Sequence, residues 1–405
     1  MNDFEYLISL RKKSLIPYYG FAQTAISLLF LKYIKNKDYS NKFIESLNRG
    51  NISNNVINDL LTKVEIEYKL KKNILKEAFT DLNNNINNID IIKYLNSDLI
   101  EYSNKDKQDL IFNIISYCNK DATRTNIYTT NLSLIELITK ILDVKDNETF
   151  MNTFSGYNLA SININPLEYL GYELNSSVLA TSLMIFIFLD KVNFNISNED
   201  IYLLKDINKV DKILTDGPWG LFPDKDIYQD RSKISNKMEY HNIDITINAL
   251  KDNGKAVIVV PNKLLTNDSY KSIREYLVNN RLLEAVVSLP LLSTITYVNP
   301  YLLVISKKLN DKVYFIEANN TNFYIQNNKI NYLTKDSINK ILYGLENDTA
   351  YSKAVPMIDL LNQDKISLLV SNYVVDNNQH NYSKKEEIEE KLKTLYYKFN
   401  KLINK

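Results

Sequence analysis

From about residue 121 to 310 the chain alternates short apolar runs with amphipathic stretches, and this alternation constrains its fold more than any other feature. A helix pattern at Leu132–Leu142 leads into a strand pattern at Thr149–Met151, and a second strand ends near Tyr172-Glu173. Helix Ser176–Asp190, strand Ile201–Leu204, strand Val210–Thr215 and helix Met238–Leu250 follow. Next come strand Lys255–Pro261, introduced by the turn signal Asp252-Asn253-Gly254, helix Ser269–Asn279, and strands Leu283–Leu289 and Tyr301–Ser306. Strand-length β-branched runs separated by helical periodicity are βαβ units. They predict an α/β fold with a doubly wound, mostly parallel sheet. Such sheets bind ligands at the carboxyl ends of their strands.

The flanks read differently. Residues 1–120 are helical in pattern, with an apolar stripe in Phe21–Ile34 and further helical runs at Leu60–Phe79 and Lys107–Tyr117. Residues 311–383 form an extension that opens with a strand at Val313–Glu317, and 384–405 read as a charged C-terminal helix with an apolar seam of Ile388, Leu392, Leu395 and Phe399. That seam suits a partner helix or a surface helix equally.

Several function classes fall away on composition. One cysteine and two histidines make a cysteine-rich metal site, a histidine metal site or a Ser-His-Asp triad poor expectations, and no metal is expected. Forty-nine basic against 48 acidic residues leave no global bias, so a nucleic acid must be met by local patches or a partner subunit. The acidic N-terminus lacks a signal-peptide pattern and the apolar stretch Ile26–Ile34 is too short to span a bilayer, which predicts a cytoplasmic chain without membrane association.

The chemistry is sought where strand Val210–Thr215 stops at Asp216-Gly217-Pro218-Trp219-Gly220. A carboxylate, a tight turn and an aromatic ring at a strand end make a slot for a planar base with an exocyclic amine. The Asp oxygen accepts from the amine, the following backbone carbonyl accepts again, and the indole stacks on the ring. On its own the pentapeptide reads first as an ordinary β-turn with a buried Trp, and the neighbouring segments shift that reading.

The neighbouring segments resemble one family, the modification subunits of type I restriction-modification systems, a branch of the adenine-N6 DNA methyltransferases. The likeness covers about residues 15–400. Leu29–Ile34 resembles a phrase of that family's helical domain, and Ile127-Tyr128-Thr129-Thr130 its entry motif, with Thr130 where the family has proline. Tyr169–Asn175 resembles the second-strand motif, and Leu214–Gly220 the Asn/Asp-Pro-Pro-aromatic catalytic motif, with Gly217 replacing a proline. Gly254–Asn262, Ile273-Arg274, Leu283–Pro290, Tyr297–Ser306 and Ser371–Val374 continue the match in order.

The resemblance implies a Rossmann-like methyltransferase sheet, S-adenosylmethionine as cofactor, double-stranded DNA as substrate, and a separate specificity subunit with a nuclease subunit as a further partner. It assigns catalysis to Asp216, Gly217, Pro218 and Trp219. Cofactor contacts fall to Tyr128, Thr129, Asn152, Ser155 and Gly156, with Glu173 for the ribose hydroxyls and Asp206 for the adenine. In the loop Phe150–Asn158 the family's acid is missing and one glycine remains, with Phe154 and Tyr157 where backbone is expected to approach the cofactor. That thinning keeps a second reading in play: a methyltransferase-like subunit without cofactor binding, acting as a DNA-binding or scaffold component of a defence complex. Methylation of RNA or of a protein amide is a third, since the slot accepts any planar amine.

Overall fold

The computed structural model describes residues 2–37, 39, 41–79, 88–97, 101–118, 130–221, 237–292, 298–327 and 330–374. Its centre is a sheet built from β1 (Thr149–Asn152), β2 (Glu168–Tyr172), β3 (Phe194–Ser197), β4 (Val210–Thr215), β5 (Leu250–Pro261), β6 (Leu283–Ser288), β7 (Pro300–Ser306) and β8 (Lys312–Glu317). A hairpin of β9 (Tyr324–Asn327) and β10 (Ile330–Leu333) stands apart, and β11 (Ser352–Pro356) closes the main sheet. The strand order is β11-β8-β6-β7-β5-β4-β1-β2-β3.

Strands β3, β2, β1, β4 and β5 run parallel. Strand β7 is antiparallel between β5 and β6, β8 is parallel to β6, and β11 is antiparallel to β8. The chain winds outward from β1 through β2 to β3, then returns to place β4 on the other side of β1. The switch point therefore lies between β1 and β4, where a crevice opens at the carboxyl ends.

Parallel strands must be covered on both faces. One face packs under helices Met238–Ala249 and Lys271–Asn279, the other under Leu132–Leu142 and Lys335–Gly344. The helices of the first 118 residues form a further core that includes Leu179, Leu183 and Ile187 of helix Ser176–Phe188, together with Tyr157, Leu159 and Ile162. Phe186 on the same helix faces the sheet, against Tyr169. A helix apolar all round is a buried helix; this one serves both bodies.

Asp190, just past that helix, ties them together. It accepts hydrogen bonds from the Tyr33 hydroxyl and the Lys37 and Lys107 ammonium groups. Burial alone would raise its pKa, but those donors outweigh it and hold the carboxyl at about 2. Its contribution to stability is therefore complete above the unfolded value near 4 and is lost as pH falls through about 2. Since the carboxylate is 47% exposed, solvent screening reduces the effect to about 1 kcal/mol. We expect Asp190→Asn to lower the urea midpoint at pH 7 and the gap to wild type to narrow as the pH is lowered toward 3.

Arg274, fully buried, donates to the carbonyls of Ile366 (2.8 Å), Leu264 (2.9 Å) and Asn267 (2.8 Å). It pins the extension beyond residue 311 to the helical turn that follows β5. Truncation strips three buried acceptors of their partner, so Arg274→Ala is expected to cost about 3 kcal/mol, read as a lowered denaturant midpoint.

Three sequence expectations are corrected. The run Ile201–Leu204 is no strand: Ile201–Leu203 is a 3-10 turn capped by Asp200, and the third strand is Phe194–Ser197. As a half-buried edge strand, 194–197 gave little apolar signal, while Ile201 and Tyr202 pack against Met238 and Ile245 instead. The helical run Leu60–Phe79 is broken. Helix Asn54–Glu67 ends at Tyr68, and the Glu65 carboxylate takes the amide protons of Asn73 and Leu75, which begin a separate turn. The turn signal Asp252-Asn253-Gly254 does not introduce β5 but lies within it. The charged helix expected at 384–405 lies outside the described residues. Among the described residues no helix is long and apolar enough to cross a membrane, and no cluster of His, Cys, Asp and Glu is placed to hold a metal.

Candidate active site

Asp216 follows the last residue of β4 and is half-buried at the switch point. Its Oδ2 accepts a hydrogen bond from the Thr130 hydroxyl at 2.6 Å. Burial pushes its pKa up, opposed by that bond, which favours the charged form. Thr130 is the residue that departs from the family's proline, and no sequence argument assigned it a role. Tyr128 and Thr129 lie outside the described residues.

Gly217 has no room for a side chain: a Cβ there would meet Phe154 Cε2 at 2.4 Å and Asn242 Nδ2 at 2.9 Å. The two departures from the family pattern are thus one feature. The phenyl ring from the loop after β1 occupies the space beside the turn that follows β4. Phe154 also packs on Tyr202, with ring centroids 5.4 Å apart. Tyr157 goes elsewhere, buried in the core shared with the N-terminal helices. The two bulky side chains of this loop thus pack against protein, Phe154 on Tyr202 and Tyr157 in the N-terminal core.

Trp219 is fixed and half-buried. Its indole N–H donates to the Val259 carbonyl at 3.2 Å, and its ring packs against the sheet face covered by helix Leu132–Leu142. Asn242 Nδ2 donates to the Pro218 carbonyl at 3.3 Å, and the Thr246 and Thr215 hydroxyls are 2.7 Å apart. Thr153 adds a hydroxyl contact to Thr215 at 3.1 Å, and the Tyr202 hydroxyl donates to Asn242 Oδ1 at 2.5 Å. A buried polar network thereby joins the loop after β1, the turn after β3 and the turn after β4.

At the end of β2, Glu173 accepts from the amide N–H of Gly156 (2.9 Å) and of Asn175 (2.7 Å). Burial raises its pKa, and these backbone donors oppose the rise. Each carboxylate oxygen keeps a lone pair for a further donor. Ser155 is buried; its amide donates to the Tyr172 carbonyl at 2.9 Å and its hydroxyl to the Asn152 carbonyl at 3.2 Å. A Cβ at Gly171 would strike Ser155 Oγ at 2.4 Å, so this glycine admits the loop rather than a ligand. Asn152 stands at the end of β1. Its Oδ1 is buried and without a hydrogen-bond partner. Asp206 is exposed, nine residues past the end of β3, while Glu199 and Asp200 follow that strand directly. The structure thus places Asn152, Ser155, Gly156, Glu173 and the Asp216–Trp219 turn at the carboxyl ends of the neighbouring strands β1, β2 and β4, with Asp206 at a distance in sequence from the strand end it was expected to extend.

The arrangement fits a nucleoside-bearing methyl donor. A buried unpartnered carbonyl at the end of β1 suits an ammonium or hydroxyl donor, and a carboxylate with spare lone pairs at the end of β2 suits ribose hydroxyls.

Comparison with known proteins agrees. Residues 112–391 match the family described as N-6 DNA Methylase. Comparison with curated proteins gives no match. Among solved structures, the methyltransferase subunit of a type I restriction-modification system from Streptococcus thermophilus is similar at TM-score 0.71 and 17% identity, over 92% of this chain and 99% of that one. A chain from a type I restriction-modification complex gives 0.70 at 14% identity, over 100% and 98%. A Listeria monocytogenes protein assigned to the class I S-adenosylmethionine-dependent methyltransferases gives 0.51 at 15% identity, over 80% and 98%. With well over half of its length matched, the chain belongs to the N-6 DNA methylase family and is an S-adenosylmethionine-dependent DNA adenine methyltransferase.

Proposed function

We propose that this chain is the modification subunit of a type I-like restriction-modification system and that its reaction centre is the Asp216–Trp219 turn. The observation that supports this most is the position of Asp216. It is half-buried at the switch point, one oxygen taken by Thr130, at the end of the strand next to β1, whose neighbour β2 ends at Glu173.

The residues divide the work as follows. Asp216 offers its remaining acceptor capacity to the N6 amine of an adenine extruded from the duplex. The backbone carbonyl of Gly217 is the second acceptor, and two acceptors on one amine draw its lone pair out of conjugation. Trp219, anchored at its N–H edge, presents the exposed part of its ring for stacking. Glu173 holds the ribose hydroxyls of the donor and Asn152 Oδ1 one of its polar groups, with Ser155 and Gly156 shaping the wall. S-adenosylmethionine supplies an electrophilic methyl whose leaving group is a neutral thioether. No side chain has to protonate a leaving group, and orientation is the main task.

Sequence readout requires a separate module, since the chain shows no helix-turn-helix, zinc finger or extended basic helix. A specificity subunit supplies it in this proposal, and a nuclease subunit completes the system. The N-terminal helices are the surface offered to them. Asp206 serves as an outer contact to the adenine of the donor.

The test is methyl transfer from radiolabelled S-adenosylmethionine to duplex DNA, RNA and protein, with and without a co-expressed specificity subunit. Label in N6-methyladenine of DNA, increased by the subunit, is the expected result. Label in RNA or protein alone overturns the assignment. A calorimetric titration showing no cofactor binding at high micromolar concentration removes it altogether.

A further inference from the structure

Helix Met238–Ala249 holds the Asp216–Gly220 turn at three points along one face. Glu239, Asn242 and Thr246 are spaced i, i+3 and i+7, so they lie on one stripe, and all three are buried. Thr246 meets the Thr215 hydroxyl at the start of the turn, and Asn242 donates to the Pro218 carbonyl in its middle. Glu239 Oε1 accepts the Gly220 amide proton at its end, at 2.9 Å. A stripe facing a sheet is ordinarily apolar, because each buried polar group must be matched. Here each of the three has one match in the turn or in the strand residue leading into it, beside the Tyr202 hydroxyl on Asn242 and the Lys263 ammonium on Glu239.

Glu239 is the costliest member. Its side chain is 1% exposed and its Oε2 has no hydrogen-bond partner. The charge is balanced by Lys263, whose Nζ lies 3.1 Å from Oε1 and which is 43% exposed. A place in the first turn of the helix adds the favourable field of the helix amino end. A buried carboxylate with a bare oxygen is a poor way to stabilise a core, and an apolar side chain of similar size does that better. It is a good way to hold one backbone N–H in place.

We propose that Glu239 is the positioning residue of the catalytic turn: by clamping the Gly220 amide it fixes the carbonyl and the indole between residues 217 and 219 relative to Asp216. The inference rests on the reading of that turn as the reaction centre. Glu239 acts through Gly220 and touches neither base nor donor. Lys263 pairs with the carboxylate from the solvent side.

Trp219 is the chain's one tryptophan, so its fluorescence reports on the turn directly. The full-length protein is compared with Glu239→Leu, Glu239→Gln and Glu239→Asp. The Leu variant is expected to unfold at the same denaturant concentration as wild type or higher. Its Trp219 emission should shift to the red and become more open to acrylamide, with kcat about tenfold to a hundredfold lower and the KM for S-adenosylmethionine unchanged. Gln keeps an oxygen for the Gly220 amide and is expected to restore emission and most of kcat. Asp keeps the charge but is one methylene short, and should behave as Leu does. Should the Leu variant fail to fold, the contrast between Gln and Asp decides alone. Wild-type emission and kcat in the Asp variant, or equal loss in Gln and Asp, overturns the proposal. A wild-type protein without methylation activity would remove the reading of the turn as catalytic, while the emission of the variants would still decide the clamp.

Discussion

Asp216→Ala is expected to lower adenine methylation by about a hundredfold or more, with the KM for S-adenosylmethionine little changed, because a preoriented acceptor acts on the amine and not on the donor. Asn at the same position keeps a carbonyl acceptor and should retain a substantial fraction of the rate. The two variants separate further with pH. The ionised carboxylate is the stronger acceptor for the amine, and burial holds the pKa of Asp216 above the ordinary aspartate value while Thr130 opposes the rise. Wild-type activity is therefore expected to fall, as pH drops, at a higher pH than an exposed aspartate would give. Thr130→Val removes the donor that favours the charged form, so the acid limb moves to still higher pH. Asp216→Asn has no such group to titrate and should lose the limb. A pH profile of single-turnover rates measures all three, and an acid limb that stays put in Thr130→Val would show that another group sets it.

The second large effect is expected at Gly217. A methyl group there would sit 2.4 Å from the Phe154 ring, far inside contact distance, so Gly217→Ala must displace the ring or the turn. Overpacking of this kind costs about 1–3 kcal/mol, and here the strain falls on the catalytic turn itself, so activity drops by about tenfold to a hundredfold. Phe154→Ala loses the packing on Tyr202 but opens the space. The double variant Gly217→Ala/Phe154→Ala is therefore expected to be more active than Gly217→Ala alone, with a coupling of about 1 kcal/mol or more from a double-mutant cycle. Strict additivity would mean that the ring and the turn do not share the space. The two departures share one space: the Phe154 ring stands where a side chain at residue 217 would.

Much of this was legible in the chain. The central strands read as continuous apolar runs because both their faces are covered, and β4, β5, β6 and β7 stood out for that reason. The edge strand Phe194–Ser197 has one neighbour and half-buried residues, so its pattern was faint, and the apolar residues Ile201 and Tyr202 drew the assignment away from it. The carboxylates at the ends of β2 and β4 were found because a strand end is a local signal. Asn242 and Glu239 were not, and Thr130 and Phe154 were legible only as departures from the family pattern, because each acquires its role from a partner distant in the chain. One trace was present: polar residues at 239, 242 and 246 on the face of a helix bound for a core.

Strand and helix spacing thus dictated a wound sheet with its ligands at one end, since periodicity reflects which side of an element meets water. Which side chains steady the turn, and where the Phe154 ring packs, was settled by tertiary packing. Those answers depend on distances between segments that the order of residues does not encode locally, and a contact of a few ångströms across the switch point decides them.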